Sequence, residues 1–180
     1  MEMTITSVEL PEGDHWISEF KAAAYSNVKH YGNCAQSILS AFLKQLGIHN
    51  PSLVASAGSM QGGMLSSLTC GVHASAMMIL GILMGRAEVE QGFDAMFPII
   101  APAQELISRL NTRVGGHSCL ALTGVDFTDQ KAALRYAMSP EHEKCLQRVA
   151  DGAETIGSFL NELNEKGELF KVTRGESDYQ

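Results

Sequence analysis

Four widely separated cysteines constrain how this chain can fold. Cys34, Cys70, Cys119 and Cys145 contain no C-x-x-C pair, so they form no local zinc-knuckle or thioredoxin-type motif. Only the tertiary fold can bring such scattered thiols together. If it does, the site would hold a metal ion, a metal cluster or a redox-active disulfide. The alternative is that each cysteine packs as a small hydrophobic side chain.

The composition is that of a folded globular protein. The chain has 180 residues, of which 45% are hydrophobic and 18% charged, enough for one domain with a substantial core. The formal net charge of −7 argues against nucleic acid as a partner. We predict a single helical domain over residues 1–166 that carries the redox or metal site, followed by a polar tail over residues 167–180.

The sequence contains no pattern typical of a secretory leader or a membrane span. The first residues, Met1-Glu-Met-Thr, are acidic where a leader is basic, and no apolar segment follows them. The longest apolar stretch, from Ala74 to Gly85, is shorter than the roughly 20 residues that cross a bilayer. We therefore expect a cytoplasmic protein without membrane insertion, in a compartment where thiols stay reduced.

Apolar residues recur at three- and four-residue spacing, and no segment alternates as a strand does, so the sequence predicts an all-α fold. One helix is expected from about Ser18 to Tyr31. A second is expected from the cap residue Asn33 to Gly47, where glycine favours a helix end. The last strong helix is predicted from Pro140 to Asn164. Between Glu88 and Arg113, two prolines predict a kink or two shorter helices.

The most apolar predicted helix, from about Val72 to Met84, follows a glycine-rich loop, Gly58 to Met64. Because its residues are apolar on all sides, this helix should lie at the centre of the protein. We therefore expect a compact helical bundle with a glycine-rich loop before a buried central helix.

The surroundings of Cys70 favour a reactive thiol. Cys70 lies where the loop meets the central helix, and the positive end of a helix favours the thiolate. It is the predicted catalytic nucleophile. Gly62, Gly63 and Gly71 would let the backbone approach a cofactor closely, and His73, one helical turn after Cys70, would present an imidazole. These four residues are the predicted cofactor-binding set.

The chain resembles the C_GCAxxG_C_C family of redox-active proteins, named after its cysteine pattern. The likeness runs from about Ala24 to Leu163. It is carried by Tyr31-Gly-Asn-Cys34-Ala-Gln36, Gly62-Gly63-Met64, Cys70-Gly71-Val72-His73-Ala74-Ser75, Cys119 to Gly124, and Cys145. In the third segment Val72 replaces the family's alanine and Ser75 its glycine. The resemblance implies a helical protein with a redox role.

A more distant resemblance is to split-Soret cytochrome c, whose subunits pair. Together with the small residues between Ala74 and Met84, this resemblance predicts a homodimer. The haem-attachment motif C-x-x-C-H is absent, so no covalent c-type haem is expected.

Several functions are compatible with four converging thiols. The first choice is an iron–sulfur cluster or other metal, bound by Cys34, Cys70, Cys119 and Cys145 for electron transfer to an unidentified redox partner. A closed zinc site and a metal-free thiol–disulfide relay through Cys70 are two variants. A non-enzymatic helical binding or assembly module, with the cysteines as core packing, is the rival. Whether the protein is an oxidoreductase stays open.

Overall fold

The structure is a computed structural model and describes residues 9–169. This part of the chain forms eight α-helices: α1 (His15–Tyr31), α2 (Cys34–Gln45), α3 (Pro51–Ser56), α4 (Gly71–Met84), α5 (Phe97–Val114), α6 (Cys119–Thr123), α7 (Gln130–Ala137) and α8 (His142–Glu165). Within residues 9–169 the only extended pairing is an isolated antiparallel bridge between Thr69 and Ser118. The predicted all-α class is confirmed.

α4 is the central helix of the bundle and packs against α2, α5 and α8. It contains no charged residue, and ten of its fourteen residues are buried, including Ile79, Leu80 and Leu83. A helix without a polar face is expected to be buried, and the neighbouring helices cover most of α4. The exception is a strip of exposed or half-buried residues on one side, Met77, Met78, Gly81 and Ile82. The predicted position of this helix is confirmed.

The helices around α4 contribute one apolar face each. α1 packs against α2 and α8, and Phe20 and Phe42 meet with ring centroids 5.8 Å apart. The side chain of Asn33 caps α2 by accepting a hydrogen bond from the backbone N–H of Gln36 (3.0 Å). This cap begins α2 at Cys34, as the sequence predicts.

Two stretches differ from the sequence-based prediction. The helical pattern predicted from Glu88 is interrupted before Phe97, by two short 3-10 turns, rather than at either proline. Pro98 lies in the first turn of α5, where a missing N–H costs nothing, and Pro102 is accommodated inside the helix. The pattern analysis also missed α7, which begins where Asp129 accepts hydrogen bonds from the N–H groups of Lys131 and Ala132.

Two further predictions concern the ends of the chain and membranes. Within residues 9–169, no helix has both the length and the apolar character needed to cross a bilayer. The predicted polar tail and the N-terminal residues lie outside the described residues, except for positions 167–169.

The contact between α4 and α8 depends on a glycine. A Cβ atom added to Gly152 of α8 would overlap Cγ1 of Val72 in α4. The missing side chain at position 152 therefore makes room for the methyl groups of Val72.

We predict that Gly152→Ala destabilises the protein by about 1–3 kcal/mol, the usual range for overpacking a core. Gly81→Ala is the matched control, because a Cβ there meets nothing within 4 Å. That change should be neutral or stabilise α4 by up to about 1 kcal/mol. Urea unfolding measures both.

The double variant Val72→Ala/Gly152→Ala should recover most of the stability lost in Gly152→Ala. Equal stabilities for Gly152→Ala and Gly81→Ala would show that the Val72–Gly152 contact does not limit packing.

Candidate functional site

All four cysteines lie at the beginning of a helix. Cys34 is the first residue of α2, Cys70 immediately precedes α4, Cys119 is the first residue of α6, and Cys145 lies in the first turn of α8. The N–H groups of a first turn have no partner within the helix, and the helix dipole is positive there. In the three longer helices, α2, α4 and α8, these effects favour negative charge on the thiol sulfur.

The thiols influence one another electrostatically, which places them in one neighbourhood. Burial raises the pKa of Cys34 to about 12, and the charges of Cys70 and Cys145 add to this rise. Burial likewise raises the pKa of Cys119 to about 12, with Cys70 and Cys34 adding to it. The pKa of Cys145 is raised to about 12 by burial, then by Cys70 and Cys119.

Cys70 differs from the other three thiols in the groups that act on it. Its charge is the first of the cysteine charges that raise the pKa of Cys34, Cys119 and Cys145. Burial raises the pKa of Cys70 itself, while the backbone N–H groups of Val72 and His73 and the charge of Arg148 oppose the rise. Of the four thiols, only Cys70 has both backbone donors and a cation acting in this direction. Its role as nucleophile stays a prediction.

A short backbone pairing brings Cys70 beside Cys119. The N–H of Cys70 donates to the carbonyl oxygen of His117 (2.7 Å), and the N–H of Cys119 donates to that of Leu68 (2.7 Å). These two hydrogen bonds flank the bridge between Thr69 and Ser118. A pairing between segments almost fifty residues apart has no local sequence signal.

The predicted glycines line the same region. The backbone N–H of Gly62 lowers the pKa of Cys34. A Cβ on Gly71 would overlap the sulfur of Cys34, and a Cβ on Gly63 would lie 2.8 Å from the Cβ of Cys119. These glycines therefore let the backbone approach two of the thiols closely, while a role in binding a cofactor stays a prediction.

The loop that carries two of these glycines is strained. Met64 and Leu65 have left-handed backbone angles, with φ of 59° and 54°, and their side chains are 45% and 51% exposed. Bulky residues rarely adopt this conformation, and such strain is concentrated at functional sites. The loop is held from one side by Ser67, whose hydroxyl oxygen accepts a hydrogen bond from the N–H of Phe127 (2.6 Å).

The imidazole of His73 is directed towards α5. It is not among the groups that shift the pKa values of the thiols. It is buried, and its Nε2 is 3.0 Å from Oδ1 of Asn111. Burial lowers its pKa, which keeps the ring neutral. His73 also lines a cavity of about 350 Å³ together with Met60, Met77 and His117. Its assignment as a ligand therefore stays a prediction.

Sequence analysis missed Arg148, whose positive charge acts on Cys70, Cys119 and Cys145. The available signal was its spacing: it follows Cys145 by three residues on α8, which places both on one side of the helix.

The donor set fits thiolate-bound metal chemistry, but the described residues contain no ready-made site for a single ion. All four cysteines are free thiols. Within residues 9–169, no three or more His, Cys, Asp or Glu side chains are arranged to hold a metal ion. Four thiols near one another are nevertheless the ligand set of iron–sulfur clusters. The glycines beside Cys34 and Cys119 also leave the thiols unobstructed by neighbouring Cβ atoms.

Comparison with known proteins agrees with this arrangement. No curated protein and no solved structure matches the chain significantly. One family profile, described as "Putative redox-active protein (C_GCAxxG_C_C)", matches residues 32–159. The match includes all four cysteines and covers most of the chain, so this protein belongs to the C_GCAxxG_C_C family.

Proposed function

We propose that Cys34, Cys70, Cys119 and Cys145 form one redox centre that binds an iron–sulfur cluster and transfers electrons. The observation that carries this proposal is the convergence of four thiols from four separate helix beginnings. Core packing alone gives no reason for four cysteines of one chain to influence each other's charge.

The electrostatics of the thiols favours binding of a cationic group. Three of the thiols have a pKa of about 12, so they are protonated at neutral pH. Each thiolate formed among them raises the pKa of its neighbours further. A bound metal centre offsets this repulsion because it replaces the protons with positive charge. When bound, a cluster would supply reversible electron transfer.

The protein's own residues would hold, orient and shield such a centre. The four cysteines would be the ligands, and the first turns of α2, α4 and α8 direct N–H groups towards negative charge. Cys70 and Cys119 are only 4% and 6% exposed, so this part of the site is shielded from water. Reduced solvent access is one of the means by which proteins tune cluster potentials.

A metal-free thiol–disulfide centre is the second candidate, and the surroundings of Cys70 favour it. Two thiols would lose two protons and two electrons to an oxidised partner and form one S–S bond. Because backbone N–H donors and the charge of Arg148 both oppose the rise in the pKa of Cys70, it is the thiol best suited to act as the nucleophile.

The setting and assembly of the protein are part of the same proposal. Either centre needs thiols that stay reduced before assembly or turnover, which supports a cytoplasmic location. A homodimer is supported by apolar side chains exposed at the beginning of α5, where Phe93 and Phe97 are 69% and 53% exposed. Both statements, and the identity of the redox partner, stay predictions.

The cluster is tested on protein prepared without oxygen, by visible absorption and by analysis for iron and sulfide. We expect both elements in the native protein and their loss in Cys34→Ser, together with a lower midpoint of thermal unfolding, because a bound cluster stabilises the folded state.

Ala41→Ser is the matched control for the cluster test. It adds a hydroxyl at a buried position of the same helix. It should keep the iron and cost at most about 1–3 kcal/mol. Native protein that contains no iron, even after reconstitution with iron and sulfide, would contradict the cluster proposal.

The raised pKa values also predict how the metal-free, reduced protein responds to pH. Thiols of the unfolded chain titrate near pH 8.5, whereas Cys34 in the folded state titrates at about 12. Between these values the folded state keeps protons that the unfolded chain releases, so the free energy of unfolding falls as the pH rises. Urea unfolding from pH 8 upwards should show a smaller fall for Cys34→Ser than for Ala41→Ser. Parallel curves for the two variants would contradict the assigned pKa.

The disulfide candidate predicts that mild oxidation of the metal-free protein produces a disulfide that includes Cys70. Peptide mapping by mass spectrometry identifies the pair. Cys70→Ser should suppress the first disulfide, while Cys145→Ser should leave a pairing of Cys70 with one of the remaining thiols. A first disulfide between two other cysteines, with Cys70 free, would contradict the role of Cys70 as nucleophile.

A further inference from the structure

Arg148 is held at the thiol site by the end of a neighbouring helix. Its Nε donates a hydrogen bond to the carbonyl oxygen of Val114, the last residue of α5 (3.3 Å). Arg148 itself lies on α8, about one turn after Cys145. The guanidinium group is therefore fixed between α5 and α8, on the side of α8 from which Cys145 is presented.

One nitrogen of this guanidinium has no acceptor. Nη1 of Arg148 is buried and makes no hydrogen bond within the described residues. Other arginines of the protein are paired: Arg109 binds Glu162 (2.7 Å), and Arg113 binds Asp151 (2.9 Å). A buried cationic donor without an acceptor is unfavourable, so an acceptor that reaches Nη1, and a negatively charged one above all, would stabilise this arrangement.

The thiols are the groups near Arg148 that can become such an acceptor. The charge of Arg148 acts on Cys70, Cys119 and Cys145, and also on the buried Tyr136, whose pKa of about 12 keeps it neutral. A neutral thiol is a weak acceptor, while a thiolate or a sulfide is a strong one. The unpaired Nη1 thus has a partner as soon as sulfur at the site carries negative charge.

We propose that Arg148 is a positioning residue of the cysteine site, which donates a hydrogen bond through Nη1 to anionic sulfur and so favours the more negative, reduced state of the centre. This inference rests on the proposed redox function. It adds to that function a specific residue that controls the reduction potential. A cation stabilises the form with more negative charge, so losing it makes the potential more negative.

The experiment compares Arg148→Met, which removes the charge at similar length, with Arg148→Lys, which keeps the charge. Arg113→Met is the matched control, because Arg113 also contacts α8 but pairs with the carboxylates of Asp151 and Glu154. Two quantities are measured. One is the ionisation of the thiols in the reduced, metal-free protein, followed by their rate of alkylation at pH 8, which depends on the thiolate fraction. The other is the midpoint potential of the assembled centre.

We expect Arg148→Met to lower the alkylation rate about tenfold, the loss of thiolate that one pKa unit corresponds to, and to lower the midpoint potential. Arg148→Lys should restore much of the rate and of the potential, and Arg113→Met should change neither. Arg148→Met also loses the hydrogen bond from Nε to Val114, so a small fall in the thermal midpoint of the metal-free protein is expected beside these two changes. If Arg148→Met does not fold, Arg148→Gln makes the same comparison without the charge.

Unchanged thiol ionisation and unchanged potential in a folded Arg148→Met variant would overturn the proposal. A variant that loses stability but keeps the same thiol ionisation would also overturn the proposal. That result would assign Arg148 a purely structural role. The ionisation measurement needs no bound metal. A protein that never binds iron would therefore refute the cluster but leave the test of Arg148 intact.

Discussion

The burial of α4 is the constraint on which the rest of the structure depends. Because this helix has no charged residue, it must be enclosed, and α2, α5 and α8 supply the enclosing faces. The residue before it, Cys70, is then carried into the interior with the first turn of the helix. The other three cysteines begin helices that approach the same end of α4. The location of the candidate site follows from the burial of one helix.

The close packing of α4 is visible at two of its residues. Val72 occupies the space left by Gly152. Ser75 satisfies its hydroxyl inside its own helix by donating to the carbonyl oxygens of Gly71 (2.9 Å) and Val72 (3.0 Å). Neither residue therefore leaves a buried polar group of its side chain unpaired.

Features encoded locally were predictable from the sequence, and features that depend on distant contacts were not. The cap at Asn33, the central helix and the apolar face of α8 were all visible as short-range patterns. The bridge that joins Thr69 to Ser118, and the unpaired nitrogen of Arg148, exist only once the chain has folded. The cysteine pattern could identify the candidate ligands. It could not reveal that Arg148 acts on Cys70, because that depends on how α4 and α8 pack.

The pairing of Thr69 with Ser118 has a consequence for the order of folding. It joins segments far apart in the chain, and such non-local contacts form slowly because a long loop must close first. Cys145 and the helix that carries it follow later still during synthesis, which proceeds from the N-terminus. A growing chain on the ribosome therefore presents Cys34 and Cys70 well before their partners exist. The complete set of four thiols is available only to a chain in which α8 has docked, so assembly of the proposed centre would have to follow the synthesis of that helix.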